Sequence, residues 1–380
     1  MSATINFEKL LRITESPYLA LLAVQKLYLM HRRTFLTTAT LGSLSFAVPV
    51  SFSHQIMTVR GPIPAHKMGV TLSHEHITTD FAGAEIVEQP QYEQAGAVAG
   101  ILPYLMELKA MGCTTLFECT PNYIGRDVRL LKVLSERTGI NIITNTGYYA
   151  AANYKYLPKH FYEESAEQLS ERWVKEWKEG IDGTGIRPGF IKIGVNKAPL
   201  SEHERKLVEA AAITHLQTGL TIAIHTGDGA AASEELEWLM SKGVAPNAMI
   251  WVHAQNDKDD DHHLTDLARL GVWISLDGVN AKPRQLKRYL YQLQSMRAEG
   301  LLHKVLISHD DGWAVKSVEK EGKKSIELSL FNNGNRVPYH TIFSKLIPDL
   351  LSSGFTRKDI KQIMVKNPRH AYMIRVRKKH

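Results

Sequence analysis

Residues 69–76 read Gly69-Val70-Thr71-Leu72-Ser73-His74-Glu75-His76. An apolar, β-favouring run leads into a His-x-His pair. In an extended strand successive side chains point to opposite faces, so His74 and His76 share one face and Glu75 points to the other. Two imidazoles on one face form a chelate that suits zinc.

The same design recurs down the chain. Further β-rich apolar runs fall at residues 114–119, 140–147, 189–195, 220–225, 248–253, 271–276 and 304–308. Amphipathic helical stretches lie between them, at 99–111, 165–179, 202–218 and 283–299. Alternating β and α elements imply a parallel sheet. Eight such repeats point to an α/β fold closed as a (β/α)8 barrel rather than an open doubly wound sheet. From about residue 58 on there is no low-complexity linker, short-period repeat or domain break, so residues 53–380 read as a single barrel domain. No GxGxxG and no GxxxxGK[ST] occurs, which removes the usual phosphate-cradling loops.

Hydrophobic residues make up 44% and charged residues 22%, the balance of a soluble globular chain. The formal net charge of +7 raises the question of nucleic acid. The basic residues are dispersed, however, with small clusters at the ends (Arg32, Arg33; Arg375, Arg377, Lys378, Lys379) and no stripe interleaved with aromatics. Nucleic acid is therefore not an expected partner. Cys113 and Cys119 fall in one expected strand with even spacing, on one face and too far apart to bridge, and read as two buried reduced thiols.

Residues 30–50 read MHRRTFLTTATLGSLSFAVPV. A twin arginine followed by an uncharged, small and apolar run has the shape of a bacterial twin-arginine export signal. The run is too short and too weakly apolar for a membrane span. Residues 30–52 are thus read as the signal segment, with cleavage somewhere after Ala47. Residues 1–29 are read as an over-extended start ahead of Met30. The expected location is the periplasm or the exterior, or the cytoplasm if the signal is not used.

The other strand ends also carry chemistry. Phe190-Ile191-Lys192-Ile193-Gly194 sets a lysine among apolar neighbours, which is costly unless the amine is paired or chemically changed. Two further runs end in Ile224-His225-Thr226 and Val252-His253-Ala254, and the last in Ser308-His309-Asp310-Asp311. Each has an ordinary alternative: a core histidine, a lysine reaching solvent, an aspartate capping a turn. Strand ends of a barrel converge on one mouth, and that convergence argues for a shared site.

On these residues the chain resembles the phosphotriesterase family of the amidohydrolase superfamily, over about residues 56 to 373. The likeness begins at Thr58-Val59-Arg60-Gly61-Pro62-Ile63-Pro64, runs through the His74/His76 strand, and closes at Asn367-Pro368-Arg369-His370-Ala371-Tyr372. The resemblance implies a TIM-barrel metal-dependent hydrolase in which His74, His76 and Asp310 hold one divalent ion and His225 and His253 a second. Lys192, N6-carboxylated, would bridge them. Zinc is the expected metal, with manganese or cobalt as alternatives. Two ions about 3.5–4 Å apart would share a bridging hydroxide, and Asp310 would accept its proton as the catalytic base.

The chain departs from the better-known branches of that family. Their seventh strand tends to read Leu-Asp-His in phosphotriesterases and Leu-Asp-Arg in lactonases; here it is Leu276-Asp277-Gly278. A relay carboxylate expected three residues after the sixth-strand histidine is Asn256 here, with Asp257 next to it. These departures weigh against efficient turnover of organophosphate triesters. Tyr149 matches an aromatic of the lactonase pocket, and Trp313 lies in the loop expected over substrate. The expectation is therefore a small-molecule lactone or carboxylic ester substrate. A phosphoric ester is the alternative, and a non-catalytic ligand-binding barrel is the reading from a different class. The family likeness also allows a homodimer. The stretch from Asp257 to His263 reads as a solvated helix start, and the charged stretch from Lys316 to Lys324 as a mobile surface region.

Overall fold

The computed structural model describes residues 54–87, 90, 92–257, 262–320, 323–331 and 335–379. The expected over-extended start (1–29) and export segment (30–52, with Arg32 and Arg33) lie outside the described residues.

An antiparallel pair, β1 (Gln55–Thr58) and β2 (Gly61–Pro64), precedes the barrel strands, which are β3 (Thr71–Glu75), β5 (Thr115–Glu118), the broken pair β6 (Asn141–Ile143) and β7 (Asn145–Thr146), β8 (Phe190–Gly194), β9 (Ile222–His225), β10 (Met249–Val252), β11 (Trp273–Leu276) and β12 (Val305–Ile307). They pair in parallel as β3-β5-β6 and as β7-β8-β9-β10-β11-β12. Thr144 alone separates β6 from β7, so one interrupted run joins the two sheets. At the other junction Ser73 Oγ donates to Ile307 O at 3.3 Å, His74 N donates to Ser308 Oγ at 2.9 Å, and Asp310 N donates to His74 O at 3.2 Å. These bonds return the last strand to the first and close the ring. All eight sequence runs become strands, each shortened where turn residues at its ends leave the ladder.

Helices α1 (Gln94–Ala110), α2 (Val128–Thr138), α3 (Ala166–Glu179), α4 (Glu202–Thr218), α5 (Gly229–Ser241), α6 (His262–Leu270) and α7 (Pro283–Ala298) lie between the strands. Their starts follow from capping chemistry: Ser165 with Gln168 and Ser201 with Glu204 form reciprocal capping boxes. Gly139 and Gly219, left-handed at φ 72° and 76°, end α2 and α4.

One core layer packs the helices on the sheet; a second fills the barrel interior around Phe117, Phe190, Ile250 and Tyr372. The short helix α8 (Asn367–Tyr372) plugs the barrel from below. Its Tyr372 ring stacks on Phe117 at 3.7 Å and its hydroxyl donates to Ser73 O. Cys113 and Cys119 are both free and buried, as expected, but not on one face. The strand begins only at Thr115, so alternation does not reach Cys113. Cys113 joins the layer under the helices and Cys119 the barrel interior.

Of the charged stretch 316–324, residues 316–320 and 323–324 lie in the strands of an antiparallel hairpin, β13 (Gly312–Lys320) and β14 (Lys323–Phe331). The hairpin base pairs in parallel with the short strand β4 (Thr78–Thr79), through Trp313↔Thr78 and Ala314↔Thr79. Its register sets Trp313 opposite Leu330 and Val315 opposite Leu328 on one face, with Lys316 opposite Glu327 on the other. The charged residues concealed a period-2 pattern. Among the described residues no helix is long and apolar enough to cross a membrane.

Candidate metal centre

All six expected site residues gather at the C-terminal mouth of the barrel. His74, His76, Lys192, His225, His253 and Asp310 line one cavity of about 240 Å³. The rings of His225 and His253 lie 4.4 Å apart, His74 and His253 5.0 Å, and His74 and His76 5.5 Å. Asp310 Oδ1 is 3.0 Å from His76 Nε2 and 3.3 Å from His74 Nε2. One ligand atom from each of these three residues lies within 4.8 Å of the others. Two of the six sit on backbone that side chains avoid, His253 at φ 65° and Asp310 at φ 59°. Such conformations cost about 1–2 kcal/mol each and hold where surrounding contacts impose them.

The donor set fits a cation. His74 has an acceptor at both ring nitrogens, Asp277 Oδ2 at 3.3 Å from Nδ1 and Asp310 Oδ1 at 3.3 Å from Nε2. A neutral imidazole carries one N–H and can satisfy only one of them; a cation beside Nε2 satisfies the other. Without that cation, the neighbouring Cys119, Asp277 and Asp310 outweigh the effect of burial and raise His74 well above its ordinary value. Burial, with His253 and Lys192 nearby, holds His225 well below its own. Burial works against charge on Asp310, but His253, His74 and His76 hold it well below the usual carboxylate range.

Lys192 is 2% exposed, and its Nζ donates to Ile193 O at 3.4 Å, a weak contact for a buried ammonium. Burial lowers its pKa, which favours the neutral, nucleophilic amine. Tyr149 closes over it, with Nζ 5.6 Å from the ring centroid and the ring 4.9 Å from that of His225. Gly194 makes this possible, because a Cβ there would lie 2.5 Å from the tyrosine ring. Trp313 does not reach the cavity wall; it packs the hairpin base between Tyr104 and Tyr339.

Behind the expected ligands stand acids to which the sequence reading gave no role. Asp277, fully buried, accepts from His253 Nδ1 at 2.6 Å, His253 N at 3.2 Å, Ser275 Oγ at 2.8 Å and Gln255 Nε2 at 3.2 Å. His76 Nδ1 meets Thr120 Oγ1 at 2.8 Å, and Thr120 in turn donates to Glu118. Burial pushes the Glu118 carboxyl up to about 7. Glu75, directed away from the site as alternation requires, binds Ser308, His309 and the Asp311 N–H and so fixes the strand end that bears Asp310. A charged residue inside an apolar strand, the cue that singled out Lys192, was equally present at Glu118.

The relay positions are accounted for as well. Gly278 is not an open gap: a Cβ there would lie 2.8 Å from both Gln255 Nε2 and the Tyr289 hydroxyl. Asn256 is exposed, and Asp257 is taken up by His263 Nδ1 at 2.8 Å. Neither Asn256 nor Asp257 lines the cavity.

A closed (β/α)8 barrel with four histidines, a lysine and an aspartate at its C-terminal mouth defines a metal-dependent hydrolase. Comparison with known proteins takes this one step further. Residues 54–372 match the model of the phosphotriesterase family, and the chain belongs to that family. It is 30% identical over 303 residues to the phosphotriesterase homology protein of Escherichia coli (strain K12), covering 79% of this chain and 96% of that one. It is 27% identical to the N-acetyltaurine hydrolase of Xenopus tropicalis, covering 84% of this chain and 98% of the relative. The solved structure of the organophosphorus hydrolase from Deinococcus radiodurans superposes with a TM-score of 0.74 at 27% identity, over 84% of this chain and 97% of that one.

Proposed function

We propose that this hydrolase cleaves a small, uncharged carboxylic ester or lactone. In this reading His74, His76 and Asp310 hold one divalent ion, His225 and His253 hold a second, and Lys192 lies between them. Zinc suits this mixture of imidazole and carboxylate. The neutral Lys192 amine would add to carbon dioxide, forming an Nζ–C bond with loss of one proton, and so become an anionic ligand. When bound, the ions would polarise the substrate's carbonyl oxygen and lower the pKa of water.

The observation that carries the acyl reading is the make-up of the cavity wall around Asp310. Among the described residues Asp310 is the one carboxylate in the cavity wall, and the relay position beside it is filled by Gln255 and Tyr289. In this reading the proton that Asp310 takes from the attacking water passes to the leaving group. An alkoxide leaving from an ester or lactone needs that proton. An aryl oxide leaving a phosphotriester departs as a stable anion, and the proton left on Asp310 must find another way out. The rest of the wall includes Phe81, Pro121, Ile124, Ala152, Tyr149 and Tyr156, which suits an apolar, uncharged acyl or alkyl group.

A leaving nitrogen needs the same proton, so an N-acyl amide is the second reading, favoured by the relative named for N-acetyltaurine hydrolysis. The phosphoric ester remains as the third, favoured by the relative named as an organophosphorus hydrolase. A leaving-group series tests the order. If Asp310 protonates the leaving oxygen, alkyl esters and lactones turn over at rates that depend weakly on leaving-group pKa. Turnover confined to activated aryl esters and phosphotriesters would refute the acyl reading.

We further propose that the segment with Arg32 and Arg33 directs export to the periplasm, with Met30 as the start. N-terminal sequencing of the protein recovered from cell fractions tests this.

A further inference from the structure

We propose that Asp277 couples the two halves of the metal centre, one carboxylate fixing an imidazole in each. The inference rests on the two-metal reading above. Asp277 follows β11, between the strands that supply the other ligands, and is wholly buried. Its Oδ1 accepts from His253 Nδ1 at 2.6 Å, and its Oδ2 lies 3.3 Å from His74 Nδ1. His253 belongs to one expected half-site and His74 to the other. Each bond places the proton on Nδ1 and leaves the Nε2 lone pair for the metal.

The carboxylate itself is anchored. Ser275 Oγ and the His253 N–H hold Oδ2, and the Gln255 amide donates to Oδ1 while accepting from Asp277 N at 3.1 Å. Gly278 belongs to the same device: its missing side chain leaves the room that the Gln255 amide occupies. Where its better-known relatives carry a side chain after this aspartate, the chain has Gly278, and the Gln255 amide that bonds Asp277 takes the space. Asp277 is a positioning residue and does not line the cavity. Thr120 offers the contrast, since its hydroxyl meets the His76 ring and so serves one half-site.

The test is stepwise metal titration of the chelator-stripped full chain with Zn2+ against a chromophoric competitor, repeated with Co2+ by its visible absorption. The wild type takes up two equivalents. Asp277→Asn weakens both together by about 10- to 100-fold, the range for loss of a partner behind a ligand, whereas Thr120→Val weakens one equivalent alone. A purely structural role for Asp277 would lower the melting temperature without weakening both equivalents. If Asp277→Asn loses its fold by circular dichroism, Ser275→Ala keeps the carboxylate and removes one of its donors; both equivalents then weaken together by about fivefold. Wild type with two equivalents, and either variant weakened at one or neither, overturns the coupling alone. Wild type binding fewer than two equivalents overturns the two-metal reading and the coupling with it.

Discussion

Gly278→Ala is the smallest change that probes how the relay position is filled. The added Cβ would sit 2.8 Å from Gln255 Nε2 and 2.8 Å from the Tyr289 hydroxyl, closer than side-chain carbons tolerate. Tyr289 is 2% exposed and Gln255 7%, so neither has open space to move into. Two costs follow. Overpacking a filled site costs about 1–3 kcal/mol. Displacing Gln255 also breaks its two hydrogen bonds to Asp277, at about 1 kcal/mol each. The expected destabilisation is about 3–5 kcal/mol, read from urea denaturation midpoints. Tyr289→Phe removes one of the two obstructing atoms, so the double variant recovers part of the loss, and the cycle shows coupling of about 1 kcal/mol or more. A Gly278→Ala protein as stable as the wild type would mean that the position is open. Gln255 and Tyr289 would then not fill the relay position, and the acyl reading would lose that support.

Lys192→Ala is expected to abolish turnover and to lower metal content below two equivalents, both measurable on one preparation by elemental analysis and a lactone assay. Arg377 donates to Thr221 Oγ1 and to the carbonyls of His370, Ala371, Met373 and Arg375 at 3.0–3.2 Å, tying the plug helix to the bottom of the barrel. Arg377→Met should therefore cost about 3 kcal/mol or more in denaturant while leaving kcat unchanged, because the site lies at the other end. His215 donates from Nδ1 to Leu220 O at 2.7 Å and accepts the Arg377 N–H at Nε2, an arrangement that only the neutral ring allows. Burial lowers its pKa to about 4. The unfolded chain therefore binds the extra proton first, and this contribution to stability is complete above about pH 6.5 and is lost as pH falls toward 4. Between pH 7.5 and 5 the loss should be about 2 kcal/mol. His215→Gln should flatten the stability profile over that range, and an unchanged profile would contradict the assignment.

The barrel and the residues at its mouth were legible because they obey local rules. Alternation along a strand is visible within a few residues, and barrel topology then brings every strand end to one mouth, so His74, Lys192, His225, His253 and Asp310 could be joined without knowing any distance. What escaped was set by contacts across the fold. Gln255 fills the space at Gly278 from a neighbouring strand end, so the glycine read as a loss when it is an accommodation. Asp277 was noticed only as a neighbour of Gly278, since nothing local says that two imidazoles turn toward it. The left-handed backbone at His253 and Asp310 has no sequence mark, because neither residue is glycine. The β13–β14 hairpin was hidden because charged residues such as Lys316 and Glu327, on the opposite face, interrupt the apolar positions of Trp313, Val315, Leu328 and Leu330 along the sequence.

The central claim, a metal-dependent acyl hydrolase in which Asp310 returns its proton to the leaving group, is tested most directly on zinc-reconstituted protein. The measurement pairs metal content with kcat/KM on a lactone and on an aryl phosphotriester. The account predicts about two metal ions per chain and a lactone rate well above the phosphotriester rate. Two ions with the phosphotriester as the faster substrate would contradict the proton assignment, and less than one tightly held ion with no turnover would contradict the metal centre itself.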